Sequence, residues 1–244
     1  MKDFSLSANW YWFVLAAVCC YLIGCFNFAV FISKLKHKDI RDVGSGNPGT
    51  MNMSRTFGLK IGIINFLCDA LKGAVPVICG YFIFKGYAFS GTDIAVSDFS
   101  RYFFGIFAVI GHIFPVTMKF KGGKGIASTF GLFWAALSCE VWWFVFIGLA
   151  IVVCIFVYIA LTEWGSMGSL LGVSLFTIWQ GAIFVLRYEA EIANGYLIAT
   201  FMILLVINLL TWIAHHLNLY RLMAGEEHRT SVKKMIRKKK NKAQ

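Results

Sequence analysis

The chain has 244 residues, of which 59% are hydrophobic and only 14% are charged, and its formal net charge is +11. Soluble domains are about 45–50% apolar and about 25% charged, so this composition excludes a water-soluble globular protein. So much apolar sequence also excludes a disordered protein. Positive charge in a chain this hydrophobic is typical of basic loops facing an anionic membrane rather than of nucleic-acid binding. We therefore predict an integral membrane protein that contacts lipid and no nucleic acid.

The apolar stretches predict an all-α, polytopic membrane helical bundle with about seven transmembrane helices. A core of about 30 Å takes roughly 20 helical residues to cross. The predicted spans cover approximately residues 10–32, 61–84, 102–118, 126–139, 141–161, 167–186 and 196–213. One helix over 126–161 would be about 54 Å long, more than one crossing needs. We therefore expect two short helices that turn near Glu140, and one steeply tilted helix is the alternative.

The basic residues predict how the chain is oriented. With seven spans, 18 of the 23 Lys and Arg residues lie on the side of the C-terminus and only 4 on the side of the N-terminus. The positive-inside rule then places the N-terminus outside and the C-terminus in the cytoplasm. The first span lacks a small-residue cleavage site and ends in lysines, so we expect it to stay in the protein. We predict one membrane-embedded domain over 1–232 and a basic cytoplasmic tail over 233–244.

The cysteines predict no metal site. All seven lie in or at the ends of apolar spans, and none forms a C-x-x-C pair. Cysteine behaves as a small hydrophobe in such positions, so we expect neither a disulfide framework nor a zinc site. No cofactor is predicted.

The first of three polar segments covers residues 44–55 and reads G-S-G-N-P-G-T-M-N-M-S-R. Its glycines match G-x-G-x-x-G, but the βαβ context of a dinucleotide site is missing, so we reject that interpretation. Glycines can still form an anion-binding nest of backbone N–H groups. Further donors come from Ser45, Asn47, Asn52 and Arg55.

The second polar segment covers residues 111–125 and ends in Gly122-Gly-Lys-Gly125. It does not match a Walker A loop, because Met118 and Ile126 occupy key positions. A glycine-rich turn that leads into a helix can nevertheless hold phosphate through helix N-terminal amides and the charge of Lys124.

The third polar segment covers residues 215–227, and on a helix His215, Asn218 and Arg221 fall on one face. The topology places all three segments at the same membrane face. Within the second span, helical spacing predicts a pair between Asp69 and Lys72, which is either a structural brace or part of the site.

These segments, in this order, resemble the bacterial acyl-phosphate-dependent glycerol-3-phosphate acyltransferases, which are small membrane-integral enzymes. The resemblance rests on four motifs: G-S-G-N-P-G-x-x-N-x-x-R at 44–55, D-x-x-K-G at 69–73, G-H-x-F-P-x-x-x-x-F-K-G-G-K-G at 111–125 and H-x-x-N-x-x-R-L-x-x-G-x-E at 215–227. It implies transfer of an acyl chain from acyl phosphate to the 1-hydroxyl of glycerol 3-phosphate. The expected products are lysophosphatidic acid, which begins phospholipid synthesis, and inorganic phosphate.

The resemblance also implies roles for individual residues. The reaction centre would contain His215, Asn218 and Ser45. The substrates would be bound by Gly46, Asn47, Asn52, Arg55, Gly122, Gly123, Lys124, Gly125 and Ser166. Supporting positions would be Asp69, Lys72, His112, Arg221 and Glu227. Either His215 or a substrate phosphate would accept the hydroxyl proton. The expected location is the bacterial cytoplasmic membrane, with the active site at its cytoplasmic face.

Two other functions fit parts of the sequence less well. His37 and Asp42 match the H-x-x-x-x-D spacing of acyl-CoA-dependent acyltransferases, but this single match lies in a basic juxtamembrane turn. An organic-phosphate transporter would explain intramembrane charges, yet transporters usually have repeated halves and binding sites at the midplane. Here the polar segments gather at one face.

Overall fold

The computed structural model describes residues 1–227 and residue 229, so the predicted basic tail lies outside the described residues. Over the described residues the chain forms ten α-helices and one short two-stranded sheet. The helices are α1 (Leu6–Cys25), α2 (Phe28–Leu35), α3 (Thr50–Phe57), α4 (Leu59–Phe84), α5 (Val96–Ile113), α6 (Ile126–Glu140), α7 (Phe144–Thr162), α8 (Gly165–Arg187), α9 (Gly195–Ala214) and α10 (His216–Met223). The strands are β1 (Lys2–Phe4) and β2 (Tyr87–Phe89), which pair in parallel with Lys2 opposite Tyr87.

The connections between the long helices alternate between two ends of the bundle. The motif end contains residues 36–58, 114–125, 163–164 and 215–227, which include the three polar segments except residues 111–113 at the end of α5. The opposite end contains β1, β2 and the segments before α5 and α9. There the amide of Asp93 donates to Glu191 (2.7 Å), and the amide of Ala95 donates to the Tyr188 hydroxyl (3.2 Å). The polar segments therefore share one end, as the sequence predicts.

Six of the helices are long and apolar enough to cross a membrane. The all-α polytopic bundle is therefore confirmed. The predicted turn near Glu140 is confirmed too, because α6 ends at that residue and α7 begins at Phe144. At 15 residues α6 is about 22 Å long, which is shorter than the hydrocarbon core, and the count of seven spans stays a prediction.

Two glycines let α6 pack directly against the backbone of α4. A Cβ on Gly73 would lie within 3.0 Å of the Ser128 carbonyl, and one on Gly131 would lie equally close to the Ala70 carbonyl. Small residues at helix crossings let backbones approach in this way inside membranes. As a result ten residues of α6 are buried, which makes this short helix part of the protein interior.

The first predicted span is not one continuous helix, because the helical conformation is interrupted at Phe26–Asn27, between α1 and α2. The Asn27 side chain accepts a hydrogen bond from the Val30 amide (2.9 Å) and so starts α2. The last carbonyls of α1 accept hydrogen bonds from side chains on other elements. The Lys72 ammonium donates to the carbonyls of Phe26 (2.8 Å) and Gly24 (3.3 Å). These long-range partners stabilise the helix end, which hydropathy alone does not reveal.

The opposite end contains a buried ion-pair network that sequence analysis missed. Arg101 and Arg187 each pair with both Asp98 and Glu140. The Tyr188 hydroxyl donates to Asp98 (2.7 Å). The Arg101 side chain is fully buried, and that of Glu140 is 1% exposed. Two cations and two anions neutralise each other here and join α5, α6 and α8.

We expect Glu140→Gln to destabilise the protein, because it leaves a net positive charge in this buried network. Removing one partner of a buried ion pair costs about 3–5 kcal/mol, which corresponds to a fall of about 6–20 °C in Tm. Thermal unfolding of the detergent-solubilised protein measures the change. The matched control is Glu189→Gln, since Glu189 is exposed at the same end. Equal Tm values for both variants would contradict the assignment.

Candidate active site

Glu227 is the centre of a hydrogen-bonded cluster at the motif end. Its Oε1 accepts hydrogen bonds from the Ser166 hydroxyl (2.8 Å) and from the Asn218 amide (2.7 Å). Its Oε2 lies 3.6 Å from Nε of Arg221. One carboxylate therefore connects the start of α8, helix α10 and the segment that follows it.

Lys124 joins this cluster from the glycine-rich turn before α6. Its ammonium donates a hydrogen bond to the side-chain oxygen of Asn218. Burial lowers the pKa of Lys124 to about 8; Glu227 opposes this shift, and the positive charges of Arg221 and Arg55 add to it. The ammonium is therefore mostly charged at pH 7, but it is only partly compensated by neighbouring groups. An incoming anion would supply the missing compensation.

His215 lies at the end of α9 and is only 4% exposed. Its Nδ1 is 2.8 Å from the Thr211 carbonyl oxygen, which can only accept a hydrogen bond. Nδ1 therefore carries the proton, and in the neutral ring Nε2 keeps its lone pair. Burial lowers the pKa of His215 to about 4, and the charge of Lys124 contributes in the same direction. The imidazole is thus neutral at pH 7 and able to accept a proton.

The first polar segment forms a tight loop that Asn52 holds from inside. Asn52 is 1% exposed. Its amide donates to the carbonyls of Ile40 (3.1 Å) and Val43 (2.9 Å), and its oxygen accepts from the Ser45 amide (3.1 Å). Gly44 has a φ of +64° and leaves no room for a Cβ beside this oxygen. The structure therefore shows Asn52 shaping the loop, and its contact with substrate stays a prediction.

Other predicted residues of this loop lie nearer its surface. Ser45 is exposed and Asn47 is half-buried. Gly46 has a φ of +68°, and its amide donates to the Val43 carbonyl (3.2 Å). Arg55 is exposed on α3, and its charge acts on Lys124.

The glycine-rich turn offers fewer free amides than the sequence suggests. The Gly122 amide donates to Ile113 (3.0 Å) and the Gly123 amide to His112 (3.1 Å), so neither remains available to an anion. Gly125 starts α6 with a φ of +81°. The first N–H groups of any helix lack intrahelical partners, so the amides at residues 126–128 are available to an anion.

The charges of the second span lie deeper, below the turn. Asp69 and Lys72 form the predicted pair at 3.0 Å, and Asn65 donates to the second oxygen of Asp69 (3.0 Å). Because the same ammonium bonds the end of α1, this pair braces α4 against α1. His112 lies beside it, with Nδ1 3.7 Å from the Asp69 carboxylate.

Taken together, the motif end combines groups that suit binding and reaction of a phosphate-bearing molecule. Lys124 and the start of α6 can bind an anion, Arg55 and Arg221 add positive charge nearby, and His215 can take a proton. Among residues 1–227 and 229, no group of three or more His, Cys, Asp or Glu side chains is placed to hold a metal ion.

Known proteins that resemble this chain are acyltransferases. Their activity agrees with a site that suits binding and reaction of a phosphate-bearing molecule. A family model described as glycerol-3-phosphate acyltransferase matches residues 14–225. A glycerol-3-phosphate acyltransferase of Finegoldia magna is 33% identical over 220 residues, covering 90% of this chain and 96% of the relative. Glycerol-3-phosphate acyltransferase 2 of Thermotoga maritima is 37% identical over 213 residues, which cover 87% of this chain and 93% of the relative.

A solved structure shows the same likeness. The crystal structure of PlsY (YgiH), an integral membrane glycerol 3-phosphate acyltransferase in its glycerol 3-phosphate form, superposes with a TM-score of 0.72 at 27% identity. The superposition covers 92% of this chain and 98% of the PlsY chain. A second structure of PlsY, in a lysophosphatidic acid form, has a TM-score of 0.70 at 26% identity. The chain therefore belongs to the glycerol-3-phosphate acyltransferase family, as a PlsY-type integral membrane enzyme.

The contacts of Glu227 with Ser166 and Asn218 agree with the supporting role predicted for it, which stays a prediction. Sequence reasoning missed Thr211, although its carbonyl fixes the tautomer of His215. Its position four residues before the histidine on one helix is the signal that could have found it.

We expect Asn52→Ala to loosen the loop over residues 40–46, because two carbonyls and one amide lose their partner. Unsatisfied groups of this kind cost about 1–3 kcal/mol, so exchange of the loop amides should accelerate about 5- to 150-fold. Hydrogen exchange followed by mass spectrometry measures this, with Asn47→Ala as the control in the same loop. Unchanged exchange in Asn52→Ala would refute its role in holding the loop.

Proposed function

We propose that the protein transfers an acyl chain from acyl phosphate to the 1-hydroxyl of glycerol 3-phosphate. The products are lysophosphatidic acid and inorganic phosphate. The observation that carries the proposal is the hydrogen bond to Asn218 from the ammonium of Lys124, which lies two residues before the start of α6. The lysine is near enough to His215 for its charge to lower the pKa of that imidazole. Binding of phosphate and acceptance of a proton are thus available in one place.

The chemistry of the donor explains why so simple a site suffices. Acyl phosphate is a mixed anhydride, so its carbonyl is already activated and no covalent enzyme intermediate is needed. The hydroxyl oxygen of glycerol 3-phosphate attacks that carbonyl carbon, the bond from the carbonyl carbon to the phosphate oxygen breaks, and phosphate leaves. The enzyme must align the two substrates, neutralise their phosphates and stabilise the developing oxyanion.

The residues divide between these tasks. In this proposal Lys124, Arg55 and the first amides of α6 bind glycerol 3-phosphate. The loop with Ser45 and Asn47 binds the head of acyl phosphate. Asn218 lies at the reaction centre with His215, and Ser166 binds substrate beside it. Glu227 holds both Ser166 and Asn218.

His215 is the proton acceptor in this scheme. Its lowered pKa leaves the ring neutral at pH 7, and the hydrogen bond to Thr211 directs the basic lone pair to Nε2. A substrate phosphate is the alternative acceptor, in which case His215 would only position the hydroxyl.

The solved relatives support the choice of substrate and product. The two PlsY structures are described as a glycerol 3-phosphate form and a lysophosphatidic acid form. The positive-inside rule supports a cytoplasmic position for the motif end, and the bacterial relatives support the cytoplasmic membrane as its location. The acyl chain would lie among the apolar helices, which explains why the enzyme is embedded in lipid.

Release of phosphate from acyl phosphate, with and without glycerol 3-phosphate, tests the proposal. We expect release to depend on glycerol 3-phosphate and to fall about 100- to 10,000-fold in His215→Ala, the range for loss of a general base. His216→Ala is the matched control, because this neighbouring histidine makes the same kind of bond to a backbone carbonyl (Ile213, 2.9 Å) but is exposed.

Each rival function predicts a different result in the same preparation. Acylation of glycerol 3-phosphate from acyl-CoA but not from acyl phosphate would refute acyl phosphate as the donor. Uptake of glycerol 3-phosphate into proteoliposomes without release of phosphate would support a transporter. Equal rates for His215→Ala and His216→Ala would refute the assignment of the reaction centre.

We expect kcat/KM for glycerol 3-phosphate to fall about tenfold per pH unit above pH 8. Lys124 loses its positive charge there, because its pKa in the free enzyme is lowered to about 8. Bound phosphate favours the charged form, so binding above this pH must be accompanied by proton uptake.

Lys124→Arg provides the control for this pH profile. Arginine stays protonated up to about pH 12, so the decline near pH 8 should disappear even if the overall rate is lower. A decline that persists unchanged in Lys124→Arg would show that another group causes it.

A further inference from the structure

The imidazole of His112 lies directly against Gly123 of the glycine-rich turn. A Cβ placed on Gly123 would have as its three nearest atoms Nε2, Cε1 and Cδ2 of His112, all within 3.1 Å. The backbone of Gly123 lies outside the left-handed region, so its conformation is one that any residue can adopt. The need for glycine at this position therefore comes from the histidine ring and not from the backbone.

His112 is fixed from both sides. Its own carbonyl accepts the Gly123 amide (3.1 Å), so ring and backbone contact the same residue of the turn. The ring is buried, and Nδ1 faces the Asp69 carboxylate at 3.7 Å. Asp69 in turn is held by Lys72 and Asn65. Because the ring is buried between this carboxylate and the turn, it has little freedom to move.

The turn above the ring includes the residue that we assign to phosphate binding. Lys124 follows Gly123 directly, so the position of Gly123 sets the point from which the lysine side chain extends. Displacement by as little as 1 Å would move the ammonium away from Asn218 and from the start of α6. Small misplacements of binding groups can cost about 100-fold in rate.

We infer that His112 is a positioning residue: its ring is the support on which Gly123 rests, and through this contact it sets the position of Lys124. The inference rests on the proposed function for its kinetic consequence. The contact itself does not depend on the identity of the substrate. His112 takes part in no proton transfer in this scheme.

A double-mutant cycle between His112→Ala and Gly123→Ala tests the inference. In the native background we expect Gly123→Ala to raise KM for glycerol 3-phosphate more than tenfold, because the new methyl group meets the ring. In the His112→Ala background the same change should raise KM less than threefold, because the obstacle is gone. His112→Ala alone should raise KM for glycerol 3-phosphate about tenfold and change kcat less than threefold.

Gly122→Ala is the matched control. A Cβ on Gly122 would meet the backbone carbonyl of His112 and the ring of Pro115, which the His112→Ala change does not remove. Its effect should therefore be equal in both backgrounds. The inference would be wrong if His112→Ala reduced the rise in KM caused by Gly122→Ala as much as the rise caused by Gly123→Ala.

Tm values of the same variants separate this inference from the proposed function. Gly123→Ala should lower Tm in the native background and much less in His112→Ala, whatever the substrate. A wild type that does not acylate glycerol 3-phosphate would refute the proposed function but leave this coupling intact. If the Tm changes of His112→Ala and Gly123→Ala simply add in the double variant, the contact between the two residues is refuted. Coupled Tm changes with an unaltered KM in His112→Ala would show a purely structural role and refute the positioning role.

Discussion

The motif end depends on the buried ammonium of Lys72. It pairs with Asp69 on its own helix and donates to two carbonyls at the end of α1, so it stabilises both the intramembrane carboxylate and the helix end. Charges in an apolar environment are tolerated only when they are compensated in this way. Where α1 ends, α2 begins and leads the chain to the first polar loop. His112 lies beside the same carboxylate, and Gly123 of the glycine-rich turn lies against the ring of His112.

The two ends of the bundle use buried charge differently. At the opposite end, Arg101 and Arg187 are fully paired with Asp98 and Glu140, and the network joins helices. At the motif end, Lys124 contacts a neutral amide, and its lowered pKa shows that compensation is incomplete. Paired charge of the first kind stabilises the fold. Incompletely compensated charge of the second kind favours an anionic ligand, which is the physical reason for proposing the site at the motif end.

Reactivity at the motif end comes from environment more than from residue type. A histidine on an exposed helix end would titrate near its ordinary pKa, of about 6.5. Burial and the nearby lysine keep His215 neutral, and the carbonyl of Thr211 selects its tautomer. Asn52 is a similar case, because its burial and its hydrogen bonds to the carbonyls of Ile40 and Val43 make it the support of its own loop. In both cases the surroundings decide what the side chain can do.

The sequence by itself determined the membrane class, the turn near Glu140 and the set of residues that gather at the motif end. Those properties follow from local features, namely the length of apolar runs and the clustering of glycine with charge between them. Only the tertiary structure decided that Glu227 joins Ser166 to Asn218, and that Gly123 rests on His112. Hydrogen bonds such as Ser166 to Glu227 connect residues 61 positions apart, and a ring against a glycine is a matter of packing distance. No local pattern of residues specifies which distant side chain satisfies a buried polar group, because that depends on how the helices cross.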